Sequence, residues 1–363
     1  MTTHRFQTPE ECHQLRMALR RALPEGAMEP EPLRGVIALA VVPLYVALMV
    51  PIITDALPGW ADLALAVVIG QLVTHVGLAA HETLHRSTFR SKFWMQVHGW
   101  VGFAWYLFGP GLWHAWHVLS HHGHTQEGAA DPDLLVTTGR LRDSRLARFV
   151  HAVTPGSGHP ISWISLSFLF TLQGQLYLWF YIDQPEFSRI RMNRTRERLT
   201  TVALLFAWTA LAVWMGAWAA VCCIAIPMAT SNATLMMYIA TNHWLRPVTP
   251  NHNNPFVNTT SVTVPAWVDA LHVQFSYHQE HHIFPAMSLK HGPALRRALT
   301  ELAPDAVCAW PLGAVLRQLY LTPSVYLDDH TLGEPDGSGA VTVEAIADRF
   351  EASADPEAFA QSA

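Results

Sequence analysis

This sequence is short of charge. Only 14% of its 363 residues are Asp, Glu, Lys or Arg, against about 25% in soluble domains, too few to cover a surface meant for water. A mean hydropathy of +0.17 agrees. Cysteine is scarcer still, with four residues. Cys12, Cys222, Cys223 and Cys308 have no framework spacing, and two of them sit inside an apolar run, which argues against a disulfide scaffold and a thiolate metal site. There is no Gly-rich flavin or nicotinamide fingerprint, no His-Pro-Gly-Gly of a fused cytochrome, and no basic stripe interleaved with aromatics. At a net charge of −5, nucleic-acid binding is not expected. Nor is a signal peptide, because the first 35 residues are polar and arginine-bearing without a short apolar core. Histidine is the exception: there are 21, many of them clustered.

The apolar residues are organised in long runs. Val36 to Ile53 carries no charge and is broken only by Pro43 and Pro51, and Leu63 to Ala80 follows after a short turn. With flanking residues each reaches the roughly 20 needed to cross a ~30 Å hydrocarbon core, so the pair predicts a helical hairpin. Leu199 to Asn242 is a further uncharged stretch of 44 residues. As helix it would be about 66 Å long, two crossings with a turn near Gly216 between Trp214 and Trp218. The predicted spans are 36–54, 62–81, 199–216 and 219–242.

Lys and Arg gather at Arg16 to Arg34, Arg86 to Lys92, Arg140 to Arg148, Arg189 to Arg198 and Lys290 to Arg297. The positive-inside rule places all five clusters, and both termini, in the cytoplasm. Residues 93–113 and 161–182 are apolar too, but a single crossing by either would export an arginine cluster. Both are therefore expected to be interfacial or re-entrant. The expected organisation is a cytoplasmic segment 1–35, a membrane domain 36–310, and a cytoplasmic segment 311–363 with a disordered acidic tail from about residue 332. The fold class is all-α integral membrane, four transmembrane helices in two hairpins, with a cytoplasmic helical cap.

Three histidine clusters fall on the cytoplasmic side of this topology: His81-Glu82-Thr83-Leu84-His85, His117-Val118-Leu119-Ser120-His121-His122, and His278-Gln279-Glu280-His281-His282. On a helix, positions i and i+3 or i+4 share a face, so each cluster can aim several imidazoles at one point. His243, preceded by Asn242, is a ninth candidate. One metal takes four to six ligands, so eight or nine imidazoles imply two metals. Imidazole suits Zn, Cu, Fe and Ni, whereas calcium and magnesium want oxygen. A neutral nitrogen shell leaves the metal charge largely uncompensated and favours anionic oxygen ligands, which suits dioxygen chemistry better than a structural site.

In this order, relative to two hairpins, the clusters resemble the HxxxH, HxxxHH and HxxHH boxes of the membrane fatty acid desaturase family. Their surroundings resemble it as well: Trp113 and His117-x3-His121-His122-x2-Thr125 in the middle box, Tyr277-His278-Gln279-Glu280-His281-His282-Ile283-Phe284-Pro285 in the last. The resemblance covers about residues 35–300. It implies a histidine-rich di-iron site, O2 as co-substrate, and hydrogen abstraction from a fatty acyl chain. Two electrons would come from a separate ferredoxin-like or cytochrome-type donor, and a bacterial inner membrane is the expected location. The eight box histidines carry over as ligands position by position. His243 departs from the pattern, because the family's extra histidine often follows an Asn by four residues and here Asn242 is adjacent.

Hydroxylation, ketolation and decarboxylation to a terminal alkene begin with the same abstraction, so the boxes do not separate them. His81-Glu82-x-x-His85 also satisfies the HExxH pattern of zinc proteases, with Glu82 as base, but leaves the other two clusters unexplained. A haem or metal-transport protein would place its histidines in mid-membrane. Asp131 and Asp133 are candidates to orient ligand imidazoles by accepting their second N–H, and Trp113 and Trp116 to line an acyl channel. His75, His98, His114, His124, His272 and His291 are expected in packing or surface roles.

Overall fold

The computed structural model describes residues 8–250 and 252–353. Helix dominates and strand is minor. The chain divides into two compact units, one built from Glu29–Ser120 and Leu166–Met236, the other from the remaining segments.

The first is the membrane unit. Four helices are long and apolar enough to cross a bilayer: Pro32–Ile53, Gly59–Leu84, Arg194–Met215 and Ala217–His243, the last of which passes into the other unit at Met237. Each starts before its apolar run does, because backbone hydrogen bonding continues into the polar flanks; Asn193 caps the third by accepting from the Arg196 N–H. The turn between the third and fourth is at Gly216, where φ is +82°, a backbone setting that glycine adopts without a side-chain clash. The beginning of the third helix and Thr209 aside, the exposed faces of these helices are apolar: Phe206, Val213 and Trp214 are each more than 70% exposed, which is stable against lipid and costly against water. The second and fourth helices, of 26 and 27 residues, run about 39–40 Å, longer than a ~30 Å hydrocarbon core. Their last turns carry His81 and His243.

The two interrupted apolar segments are not single helices. Residues 92–113 form helix Lys92–Phe103, a tight turn Ala104–Tyr106 and a short helix Pro110–Trp113. Gly102 lets the first of these pack on the second spanning helix: a Cβ there would lie 2.4 Å from the Ala80 Cβ. Residues 160–181 break into a turn Pro160–Trp163, helix Leu166–Leu176 and a π-helical turn Tyr177–Tyr181.

In the second unit, helix Pro9–Ala22 is opened by a reciprocal Thr8–Glu11 cap. Its Leu15 and Leu19 pack with Ile283, Met287, Leu295 and Leu299 around helix Gly292–Leu302. Strand Ser261–Thr263 pairs in parallel with Ala309–Pro311. Strands Val325–Tyr326, Thr331–Gly333 and Val341–Thr342 form an antiparallel sheet, followed by helix Val343–Ser353. This overturns the expected disorder from about residue 332 as far as residue 353. The acidic composition conceals a helical repeat in which Val343, Ile346 and Phe350 are buried, Phe350 stacking on Trp310 at 4.6 Å. The rest of that tail, 354–363, lies outside the described residues.

Candidate metal centre

The membrane unit brings three of the expected histidines together. His81 lies in the last turn of the second spanning helix and His85 caps it, so helical spacing sets their rings 4.9 Å apart. His117 comes from the π-helical stretch His114–His121, and its Nε2 approaches that of His81 at 2.8 Å. Trp113 packs its ring against all three, with centroids 5.2, 5.4 and 4.7 Å away. It is 1% exposed and backed by Phe103. Trp116 packs on Phe108 and Phe170 instead.

The other six are assembled in the second unit from three separate segments. His243 Nε2 lies 2.9 Å from His278 Nε2, His282 Nε2 lies 3.1 Å from the same atom, and His281 Nε2 lies 3.1 Å from His122 Nε2. His121, His243 and His282 offer ligand atoms that all lie within 4.8 Å of one another. His243 belongs to the last turn of the fourth spanning helix, not just past its end as the apolar pattern predicted.

A carboxylate network holds the middle box. Asp131 Oδ1 lies 3.0 Å from His121 Nδ1, while its Oδ2 accepts the Gln126 N–H at 2.7 Å. Asp133 Oδ2 is 3.5 Å from the same imidazole nitrogen. Asp131 also accepts the Asp133 N–H, so it caps a turn and orients a ring at once. Burial pushes the His121 imidazole down, but the charge and hydrogen bond of Asp131, with Asp133 behind it, outweigh that and raise it. His281 shifts the other way: burial, aided by His121, lowers it to about 3. Burial and the neighbouring His122 and His278 likewise push His282 well down. Both rings are thus held in the neutral, metal-binding form.

A different ion pair supports the last box. Glu280, inside helix His278–Ile283 and fully buried, is clasped by Arg296 and accepts from the Ser261 hydroxyl at 2.7 Å. Gln279 donates to the Ala306 carbonyl and accepts the Cys308 N–H. The sequence reading missed Arg296 and also Gln126, whose partners lie more than a hundred residues away. Asn242 is fully buried and its backbone carbonyl accepts from Thr260, but its side-chain amide has no hydrogen-bond partner among the described residues. The remaining histidines take local partners: His98 bonds Thr83, His124 bonds Glu127, His272 bonds Tyr238, and His114 is exposed.

The donor sets suit a transition metal. An imidazole nitrogen binds such an ion at about 2.0–2.1 Å, so two nitrogens at right angles on one ion lie about 3.0 Å apart. The Nε2 pairs here are separated by 2.8–3.1 Å. All-imidazole shells fit iron, copper, nickel or zinc and do not fit calcium or magnesium. Glu82 is engaged elsewhere: Arg34 donates both Nε and Nη2 to its Oε2, at 3.1 and 2.9 Å.

Comparison with known proteins agrees with the histidine pattern. A search of curated proteins found no match. The model of the fatty acid desaturase family matches residues 58–312, more than two thirds of the chain, and spans all nine of the histidines described above. A helical membrane chain with this match and these grouped imidazoles belongs to the fatty acid desaturase family.

Proposed function

We propose that the protein carries out O2-dependent desaturation of a fatty acyl chain, with two iron ions held by His81, His85, His117, His121, His122, His243, His278, His281 and His282. The observation that carries this reading is the chemistry of the donors: nine buried or half-buried imidazoles grouped at metal-ligand spacing, in a chain of this family. When bound, iron supplies from dioxygen an oxidant able to take hydrogen from an unactivated C–H bond. The protein's own work is positional. Asp131 fixes the tautomer and ring plane of His121, Arg296 and Glu280 hold the last box, and Trp113 closes the apolar wall beside His81 and His117. An acyl chain held along such a wall presents one carbon to the oxidant, an orientation effect more than an acid–base one.

In this reading the metal centre and both termini face the cytoplasm of a bacterial inner membrane, and residues 93–113 and 161–182 lie at its interface. Two electrons come from a separate ferredoxin-like or cytochrome-type donor. The zinc-protease alternative requires Glu82 free to act as a base, and the Arg34 pair opposes that role. Expression in a host lacking the modified lipid, followed by mass spectrometry of its acyl chains, is the test. We expect a product two mass units lighter than its precursor, absent with His121→Ala. A product sixteen units heavier, or a chain one carbon shorter ending in an alkene, would replace desaturation with hydroxylation or decarboxylation.

A further inference from the structure

Helices leave their last carbonyls without intrahelical partners, and the fourth spanning helix ends at His243 in a region closed to water: Trp244 and Leu245 are each 2% exposed. The His243 carbonyl accepts the Arg246 N–H at 3.1 Å, and two side chains from distant parts of the chain bond the carbonyls at this end and just past it. Gln126 Nε2 donates to the His243 and Arg246 carbonyls at 3.0 and 2.9 Å. The Tyr326 hydroxyl is bonded to the Arg246 carbonyl and lies 3.3 Å from that of Trp244. Gln126 and Tyr326 also bond each other at 3.0 Å. Gln126 is in turn the residue whose backbone N–H holds Asp131, and Asp131 holds His121. Its φ of +59° is unusual for a side chain of this size and is fixed by these bonds together with the Thr249 N–H, which it accepts at 2.8 Å.

Tyr326 reaches this cluster from the three-stranded sheet, outside residues 58–312. It is 1% exposed, and its own N–H donates to the Val136 carbonyl, shortly after Asp131 and Asp133. We propose that Tyr326 is a positioning residue for the metal held by His121, His243 and His282: through its hydroxyl the C-terminal sheet locks the ends of two ligand-bearing segments. The inference rests on the proposed di-metal reading. A phenylalanine ring keeps the packing and removes only the hydroxyl, leaving the Arg246 carbonyl with Gln126 as its one side-chain donor and depriving the Trp244 carbonyl and the Gln126 amide of their contact with Tyr326. Lost outer partners of metal ligands typically cost about 10–100-fold in metal affinity.

The test is anaerobic titration of the full-length protein with Fe2+, and separately with Co2+, counting bound ions and reading the Co2+ visible spectrum. Wild type is expected to bind two ions. Tyr326→Phe should keep one at wild-type affinity and weaken the other about 10–100-fold, with a changed Co2+ band. Leu332→Ala, in the neighbouring strand and fully buried without a polar role, should lower the melting temperature while keeping two ions. Two ions at wild-type affinity in Tyr326→Phe, or the same loss in both variants, overturns the inference. A wild type that binds no metal overturns it together with the proposed function. If wild type binds two ions, makes no desaturated product and loses one with Tyr326→Phe, desaturation falls and the positioning role stands.

Discussion

The two units place their imidazoles by different means. In the membrane unit the spacing is local: His81 and His85 are four residues apart at one helix end, with His117 and the Trp113 ring beside them. His81 and His85 need little beyond helix geometry, because main-chain hydrogen bonds close within each segment whether the surroundings are lipid or protein; His117 and the Arg34–Glu82 pair are the longer-range contacts there. In the second unit the rings come from His121–His122, His243 and His278–His282, and no single helix sets their spacing. Buried polar contacts do that work: Asp131 on His121, Arg296 on Glu280, Gln126 and Tyr326 on the end of the fourth spanning helix. Local geometry tolerates side-chain change around it, whereas a buried polar network fails when one member is removed. The second unit is therefore the fragile one.

Three substitutions sharpen that contrast. The largest effect is expected from Arg296→Met, which leaves the fully buried Glu280 carboxylate without its cation. Breaking such a pair costs about 3–5 kcal/mol, so thermal unfolding in detergent should move far down and purified protein should lack part of its metal. Unchanged melting and metal content would mean that the last box does not depend on the pair. Asp131→Asn comes next. It keeps the shape but removes the charge that raises His121, and metal affinity should fall about 10–100-fold, or about 1.4–2.8 kcal/mol, with the helical ligands His81 and His85 still occupied. Equal loss at both groups would erase the distinction between them.

The smallest effect concerns pH in the membrane unit. Burial, with help from His75, lowers His98 to about 4, while an unfolded histidine titrates near 6.5. Above about pH 6.5 both states are neutral and nothing is gained. As pH falls toward 4 the unfolded chain takes up a proton that the folded one refuses, and stability is lost. At pH 5.5 the loss is about 1.4 kcal/mol. The melting temperature of His98→Gln should accordingly fall less than that of wild type between pH 7.5 and pH 5.5; parallel falls would show that His98 is protonated in the folded state.

Much of the architecture was legible beforehand. Four apolar helices, the turn at Gly216 and the family resemblance follow from hydropathy, glycine conformation and the spacing of histidines, all of which act over a few residues. The helix ends were misjudged by up to five residues, because helical hydrogen bonding does not stop where apolar character does. The C-terminal sheet and helix were hidden by an acidic composition whose buried positions, Val343, Ile346 and Phe350, are only three in eight.

What composition and spacing determined is the class of chemistry: enough neutral nitrogen donors, on enough helix ends, to suit transition metals in a membrane protein. What only the tertiary structure decided is which groups hold those donors still. Arg34 on Glu82, Arg296 on Glu280, and Gln126 with Tyr326 on the carbonyls after His243 are pairings across 16 to 200 positions of chain. No periodicity encodes them, since a buried polar group chooses its partner by proximity in space and by the cost of having none.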